Sequence, residues 1–367
     1  MSQGSTLVDI YRAEGVRRVK IGFTDIDGVM RGKYLSLDKF ASIADGTSGF
    51  CDCVFGWDVD DQLYDNASYT GWHTAFPDAT YRIDLSSERR LADEQNIPLF
   101  LADFVGEGEY HPICPRNQLK RMIDRAKSAG FASRMAFEYE FFVFKVTPAS
   151  AAAKHYRDLE PVTPGYFGYS LLRTFSLSDL FNELMDHCAN HGINLEGLHC
   201  ETGPGVWEAA ITVDDALAAA DQAALFKVLT KSFFQKRGMI ATFMAKWSMD
   251  YPGQSGHLHQ SLVTTDGVRS AFFDDQDPSV MSDLMRHYVA GIQTHLPALL
   301  AMTAPTINSY TRLVKGAWAP TASTWGIENR TTALRVTPTS RRWRPPGVVC
   351  GRGRGCAAPG ACRTDPH

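Results

Sequence analysis

Two glutamates separated by one tyrosine are the residues of this chain best placed to do chemistry. Residues 137–144 read Phe-Glu-Tyr-Glu-Phe-Phe-Val-Phe, and the two-residue period of a β-strand puts Glu138 and Glu140 on one face. Adjacent carboxylates on a buried strand repel each other unless a cation compensates them, and Mg²⁺ or Mn²⁺ is the usual partner of such oxygens. A solvated edge strand is the alternative, but five aromatics in eight residues argue against it.

Further carboxylates and imidazoles occur at spacings that fit the same chemistry. His257 and His259 share one face of a predicted strand; alternate histidines often bind metals, although a histidine satisfied inside a core is more common. Glu201 and Glu208 flank a Gly-Pro-Gly turn, with His199 close by. Each pattern is weak alone, and together they indicate a metal site.

The basic residues allow two interpretations. Arg330 and Arg335 flank a short apolar-leaning segment, and they can bind phosphates or simply pair with surface acids. The Gly-Arg-Gly-Arg-Gly run at 351–355 has no interleaved aromatic residue. We therefore expect no nucleic-acid partner.

Composition limits the class of protein. The 367 residues are 44% hydrophobic and 21% charged, which is ordinary for a soluble globular protein of roughly two domains. No signal peptide or membrane-length apolar run is present, and the eight cysteines do not resemble a secreted disulfide framework. We expect a cytoplasmic protein with no membrane partner.

Predicted elements favour an α+β fold. Strands 19–25 and 29–35 flank an Asp-Gly turn, which indicates a hairpin. Helices are predicted from Asn117 to Gly130, over Ser178–Asn190, from Asp214 to Gly238 and over Pro278–Ala301. The remaining strands are predicted over 239–247 and 257–264. These elements suggest a small N-terminal domain over residues 1–110, followed by a domain over 111–336 with helices behind an antiparallel sheet.

In their order, these segments resemble the glutamine synthetase family from about Val19 to Val336. The resemblance implies a β-grasp-like N-terminal domain and a glutamine synthetase-type catalytic domain. It implies two or more divalent metal ions, Mg²⁺ or Mn²⁺, one held by Glu140, Glu201 and Glu208 and another by Glu138 and His257. It also implies ATP contacts from His199, His259, Ser261 and Arg335, and contacts to glutamate or the transferred phosphate from Arg312, Arg330 and Gly253.

The implied reaction is an ATP-dependent ligation. The γ-carboxylate of glutamate would become γ-glutamyl phosphate, and an amine would displace the phosphate to give a γ-glutamylamide. Trp318 stands where ammonia-using members carry a glutamate, which favours an organic amine, and Asp58 matches the acid that helps bind ammonium. The alternatives are glutamine synthetase itself and a non-catalytic truncated member. The resemblance also implies a homo-oligomer, and a dodecamer is the expected form for this family.

The last segment, 337–367, departs from the family pattern. It holds six Arg and one acid, so its net charge is +5 and the rest of the chain carries −9 against the total of −4. An expected Arg-x-Glu-x-Arg strand and about a hundred further family residues are absent after Val336. We predict a disordered tail produced by a frameshift or misannotation, an incomplete catalytic domain and weak activity.

Overall fold

A computed structural model describes residues 2–64, 66–108, 110–267 and 269–337, together with the backbone of 347–350. The chain divides into two compact units, residues 1–122 with 190–192, and residues 123–189 with 193–367. The division falls after Met122, somewhat later than the boundary at residue 110 that the sequence predicts. Within the described ranges, no helix has both the length and the apolar character needed to cross a membrane.

The first unit is a five-stranded sheet with two helices. Its elements are α1 (Gln3–Ala13), β1 (Arg18–Thr24), β2 (Met30–Ser36), α2 (Leu37–Ile43), β3 (Ser48–Cys51), β4 (Asp78–Leu91) and β5 (Ile97–Phe104). The strand order is β2-β1-β5-β4-β3, in which only β1 and β5 run parallel. Buried aromatic side chains from strands and helices fill its core. The predicted hairpin of β1 and β2 is present.

A network of ion pairs joins β4 and β5 to Arg116 and Lys120 within this first unit. Arg116 donates to both carboxylate oxygens of Asp103 at 3.0 Å and to Asp84 at 2.7 Å. Lys120 contacts the same two aspartates. All four side chains are at least two-thirds buried. Each buried carboxylate is therefore paired with a cation that belongs to the fold.

The second unit is built on a nine-stranded sheet. Helix α3 (Pro115–Ser128) begins in the first unit and ends in the second. The remaining elements are β6 (Phe131–Phe144), α4 (Pro148–Ala153), α5 (Leu171–Ser176), α6 (Ser178–Asn190), β7 (Leu195–Cys200), β8 (Val206–Ile211), β9 (Asp214–Asp215), α7 (Ala216–Gln235), β10 (Ile240–Thr242), β11 (Gly256–Thr264), α8 (Asp283–Thr303), α9 (Ile307–Arg312), β12 (Trp325–Ile327), β13 (Leu334–Thr337) and β14 (Gly347–Cys350). The strand order is β12-β13-β14-β11-β6-β8-β7, and β9 and β10 also pair with β6.

The two faces of β6 have different partners. Tyr139 and Phe141 pack against Phe226 of α7, with ring centroids 6.0 and 6.1 Å away. Because side chains alternate along a strand, Glu138 and Glu140 project from the opposite face. The expected α+β arrangement, with a helix behind an antiparallel sheet, is thus confirmed in this unit.

Several predicted element ends are wrong. The helix α3 starts at Pro115, and the Asn117 side chain accepts a hydrogen bond from the His111 amide at 3.2 Å. Asp215, not Asp214, precedes α7. Helix α8 begins only after Ser282, whose hydroxyl accepts a hydrogen bond from the Met285 amide at 3.1 Å. A side chain that can cap a helix predicts roughly where the helix begins, but tertiary contacts determine its first residue.

Five residues of the predicted tail lie in strands. The backbone of Gly347–Cys350 forms β14, which pairs antiparallel with both β11 and β13. The prediction of disorder is therefore wrong for this strand, and Thr337 is the last residue of β13. Residues 338–346 and 351–367 lie outside the described part of the chain, where the disorder and frameshift predictions stay predictions.

Candidate active site

Strand register brings the predicted acidic and imidazole residues into adjacent rows. Glu138 lies directly opposite His257 of β11, and Glu140 lies opposite Glu208 of β8. Glu208 in turn lies opposite His199 of β7. Directly opposed residues of antiparallel strands project from the same face. Four strands, β6, β7, β8 and β11, therefore present these side chains to one surface of the sheet.

The side-chain atoms meet at contact distance. Nδ1 of His257 lies 2.9 Å from Oε2 of Glu138, and Nε2 of His259 lies 3.1 Å from Oε1 of the same carboxylate. Nε2 of His199 lies 3.2 Å from Oε1 of Glu208. The site thus pairs each of the two carboxylates with imidazole rings.

Two overlapping triads have the arrangement of a metal site. Ligand atoms of Glu138, Glu208 and His257 all lie within 4.8 Å of one another, and so do those of His199, Glu201 and Glu208. Glu208 belongs to both triads. Two cations held this way would share one carboxylate.

The triads differ from the ligand sets that the resemblance implies. Glu140 belongs to neither; its Oε2 accepts a hydrogen bond from the Ser255 amide at 3.1 Å. His199, expected on the nucleotide side, joins Glu201 and Glu208 instead. Register and loop path, which the sequence pattern does not contain, account for both differences.

Burial and mutual contact shift the ionisation of this cluster. Burial alone would raise the pKa of Glu138, but contact with His257 and His259 outweighs it and holds the pKa well below its ordinary value. Burial also opposes ionisation of Glu208, whose pKa is nevertheless lowered by His199. Burial would lower the pKa of His199, yet the contact with Glu208 raises it. Both carboxylates are therefore held as anions.

The donor atoms of the cluster fit a divalent cation. Nδ1 of His199 lies 3.1 Å from the carbonyl oxygen of Cys200, which can only accept, so Nδ1 carries a hydrogen. In a neutral ring Nε2 is then a bare lone pair that faces a carboxylate oxygen, and either a proton or a metal ion must lie between them. Within the described residues, the buried Oε2 of Glu208 has no hydrogen-bond partner. Oxygen and imidazole donors of this kind suit Mg²⁺ or Mn²⁺.

The remaining predicted ATP contacts lie on β11 and β13. His259 and Ser261 follow His257 at alternate positions of β11, so the three share one face. Arg335 lies on β13, opposite Val349 of β14. Arg330 is exposed and lies between β12 and β13. Neither arginine belongs to the triads.

The predicted glutamate-binding residues Gly253 and Arg312 are in direct contact. A Cβ atom on Gly253 would lie 2.1 Å from Cδ of Arg312 and 2.4 Å from the carbonyl oxygen of Ala245, so only glycine fits there. Nη1 of the buried Arg312 donates to the carbonyl oxygen of Ala317 at 2.5 Å. The loop that contains Gly253 and the side chain of Arg312 thus pack closely against each other.

Trp318 and Asp58 have distinct surroundings. Trp318 is 66% exposed, has a φ of +54°, and lines an open pocket of about 430 Å³ with Lys315, Pro320 and Thr331 among others. Asp58 lies in the first unit, where its Oδ1 accepts hydrogen bonds from the amides of Asp60 and Gln62 at 2.8 and 2.9 Å. One oxygen of Asp58 therefore stabilises a local turn.

Two residues beside the cluster were missed from sequence. Ser255 reaches Glu140 through its backbone amide, so its side-chain type gave no signal. The ring of Tyr169 lies 4.5 Å from that of His199, at an angle of 32°. The aromatic run Tyr166-Phe167-Gly168-Tyr169 before a helix-capping serine was the available signal for it.

Comparison with known proteins agrees with this geometry. Residues 112–344 match the family described as glutamine synthetase, catalytic domain. The chain is 46% identical over 334 residues to type-1 glutamine synthetase 2 of Dictyostelium discoideum, covering 91% of this chain and 64% of that protein. It is 36% identical over 331 residues to glutamate–isopropylamine ligase of a Pseudomonas species, covering 89% and 72%. It is 34% identical over 338 residues to gamma-glutamylethanolamide synthetase of Streptomyces coelicolor, covering 91% and 72%.

Solved structures give the same result. GmaS without ligand aligns with 95% of this chain and 76% of its own, with a TM-score of 0.78 and 25% identity. The chain spans about two-thirds of the length of the first of its curated relatives. A catalytic-domain match over 112–344 contains every residue of both triads. This chain belongs to the glutamine synthetase family.

Proposed function

We propose that this chain catalyses ATP-dependent ligation of glutamate to an organic amine, with γ-glutamyl phosphate as the activated intermediate. The pair of buried triads that share Glu208 is the observation that carries the proposal. A carboxylate is a poor electrophile, so its activation by phosphoryl transfer needs strong compensation of negative charge. A site that holds two divalent cations next to basic residues supplies it.

The residues of the cluster have separate roles in this proposal. Glu138 and His257 would hold one divalent cation and Glu140, Glu201 and Glu208 the other, with Glu208 common to both triads. When bound, these ions would supply charge neutralisation for the transferred phosphoryl group. Ser261 and Arg335 are proposed to contact ATP. Arg312, Arg330 and Gly253 are proposed to hold glutamate, with His259 orienting Glu138 from the other side.

Trp318 supports an organic acceptor. An ammonium ion needs a carboxylate to hold it and take its proton, whereas an organic amine can also be bound through apolar and aromatic contacts. The relative from Pseudomonas is named as a ligase of glutamate and isopropylamine, and the relative from Streptomyces is named for the product γ-glutamylethanolamide. The pocket beside Trp318 is open and includes Ala319 and Pro320. We propose this pocket as the acceptor side.

A second candidate is glutamine synthetase with ammonia as the acceptor. The observation in its favour is the 46% identity to a protein named type-1 glutamine synthetase 2.

A homo-oligomer is also proposed, because the family resemblance implies one. Analytical ultracentrifugation of the purified chain tests this separately, and a monomer at micromolar concentration would contradict it.

A phosphate-release assay with a panel of amines separates the candidates. The purified chain is supplied with ATP, Mg²⁺ or Mn²⁺, glutamate and either ammonium, ethanolamine, isopropylamine or a diamine. We expect an organic amine to give the highest kcat/KM. Ammonium as the best acceptor by a wide margin establishes the second candidate, and binding of ATP with no turnover for any amine establishes a non-catalytic member.

Two tryptophan variants sharpen the assay. Trp318→Glu restores a carboxylate at the acceptor pocket, so we expect it to shift the kcat/KM ratio toward ammonium. Trp72→Glu is the matched control, because Trp72 is 83% exposed and does not line this pocket. An equal shift in both variants would remove Trp318 from the proposal.

A further inference from the structure

The charge of the pocket beside Trp318 restricts the acceptor amine. Nine described residues line this pocket of about 430 Å³, and none of them is Asp or Glu. Lys315 is the one charged residue among them. The other polar side chains are those of Thr321, Thr324 and Thr331, and the rest of the lining is Trp318 with glycine, alanine and proline. The described lining of the pocket is therefore positively charged.

The segment that forms the pocket supplies no compensating acid. Residues 313–331 contain one carboxylate, that of Glu328, and it does not line the pocket. The buried guanidinium of Arg312 donates to the carbonyl oxygen of Ala317, directly before Trp318 in the chain. A second cation thus lies against the backbone of this segment.

The size of the pocket does not exclude long amines. Its volume of about 430 Å³ lies within the range of small-molecule sites, so a chain of several carbons can enter it. Length alone would therefore admit ethanolamine, an alkylamine and a diamine alike. The lining residues can distinguish these amines only by the chemical group at the far end of the acceptor.

One nitrogen of the acceptor reacts in the proposed ligation. In its neutral form it bonds to the γ-carbonyl carbon, the bond from that carbon to the phosphate oxygen breaks, and the nitrogen loses one proton to solvent as phosphate leaves. A monoamine brings no further charge into the pocket. A diamine or polyamine keeps at least one ammonium group at its far end, because aliphatic amines are protonated at neutral pH.

The lining of this pocket opposes a far ammonium group. Like charges placed together in a binding site disfavour the ligand that carries the second charge, and no lining carboxylate compensates Lys315. Trp318 can attract a cation through its ring face, but this attraction is weak at an exposed ring, and Trp318 is 66% exposed. A hydroxyl group can instead exchange hydrogen bonds with the threonine hydroxyls.

We infer that the acceptor is a small monoamine with an alkyl or hydroxyalkyl substituent, and that Lys315 excludes diamines and polyamines. The inference rests on the proposed function, because it takes the pocket beside Trp318 as the acceptor side. Lys315 is thus a specificity-determining residue, which acts on the far end of the acceptor rather than on the reacting nitrogen.

Two acceptors of matched length test the inference. Aminobutanol and diaminobutane, each with its two groups at opposite ends of the chain, differ only in a hydroxyl that replaces an ammonium group. With ATP, Mg²⁺ and glutamate, we expect kcat/KM for phosphate release to be at least about 10-fold higher for the amino alcohol. Equal or better use of the diamine would overturn the inference while leaving ligation to an organic amine intact.

Variants of Lys315 test its role in this preference. Lys315→Glu places a carboxylate in the pocket, so we expect the preference for the amino alcohol to fall by at least about 10-fold. Lys315→Met removes the charge without adding an acid, so it should lower the preference by less. Lys154→Glu is the matched control, because Lys154 is exposed in the same unit and does not line the pocket.

The outcomes separate this inference from the proposed function. An unchanged preference in both Lys315 variants, or an equal change in Lys154→Glu, would overturn the role of Lys315. Ammonium as the best acceptor by a wide margin, or no turnover with any amine, would overturn the proposed function and this inference together.

Discussion

Each unit of the protein buries a pair of carboxylates, but the two pairs are compensated in different ways. In the first unit, Arg116 bridges Asp84 and Asp103 at 2.7 to 3.0 Å. In the second unit, Glu138 and Glu208 contact histidine rings at 2.9 to 3.2 Å. Guanidinium is always charged and cannot bind a metal, whereas imidazole is charged only when protonated and is itself a metal ligand.

The difference separates an acid pair that is complete within the fold from the pair that we propose to bind metal. The first pair is complete within the fold, so a metal ion has nothing to add there. The second pair is arranged with donors that a cation can share, and Glu208 Oε2 is buried with no hydrogen-bond partner in the described residues. The nature of the partner therefore distinguishes the carboxylates that we propose as metal ligands better than burial does.

The largest expected effect comes from Glu208→Gln, because this carboxylate belongs to both triads. We expect kcat for phosphate release to fall by at least about 10²-fold, the usual cost of removing a group that stabilises transition-state charge. The free energy of unfolding of the metal-free chain should fall modestly, because the contact with His199 that lowers the pKa of Glu208 is weakened. Glu196→Gln, an exposed glutamate of β7, is the control. Wild-type kcat in Glu208→Gln would contradict the functional assignment.

Arg116→Met should mainly lower the free energy of unfolding rather than kcat. Removing one partner of a buried ion pair typically costs about 3–5 kcal/mol, so we expect a loss of that order in the free energy of unfolding, measured by urea titration. Arg125→Met, an exposed position of α3, should cost little. Adding Asp84→Asn and Asp103→Asn to Arg116→Met should recover part of the loss. No recovery would show that Arg116 stabilises by packing rather than by charge.

Metal addition should stabilise the chain through the two triads that share Glu208. A ligand that binds the folded state alone adds about 2.7 kcal/mol at 100 times its Kd, so Mn²⁺ or Mg²⁺ should raise the unfolding temperature and chelation should reverse the rise. The shift should be reduced in Glu208→Gln and kept in Arg116→Met. If both variants retain the full shift, the cation binds elsewhere.

Acid should lower the stability of the first unit through Asp84. Burial would raise the pKa of Asp84, but Ser86, Arg116 and Lys120 together hold it below its ordinary value. A lowered folded-state pKa adds stability above the unfolded-state pKa, and this is lost as the pH falls through the folded-state pKa. Metal-free protein should therefore lose stability below about pH 4, near the ordinary pKa of aspartate. In Arg116→Met this acid dependence should flatten, and an unchanged slope would contradict the assignment.

Sequence periodicity was sufficient to predict which site residues of a single strand share one face. The alternation of side chains puts Glu138 and Glu140 on one face, and likewise His257, His259 and Ser261. Backbone geometry alone imposes this period, so no tertiary information was needed. The five aromatic residues of 137–144 similarly predicted a buried strand, and Tyr139 and Phe141 of that strand pack against α7.

Tertiary structure decided which of these residues meet. Strand register put Glu208 opposite both Glu140 and His199, while a loop amide engaged Glu140. The approach of Tyr169 to His199 depends on a chain path through a left-handed residue. Composition and spacing specify the face of a strand because that period is local. Contacts between strands depend on register and loop geometry, which are fixed only when the whole sheet packs.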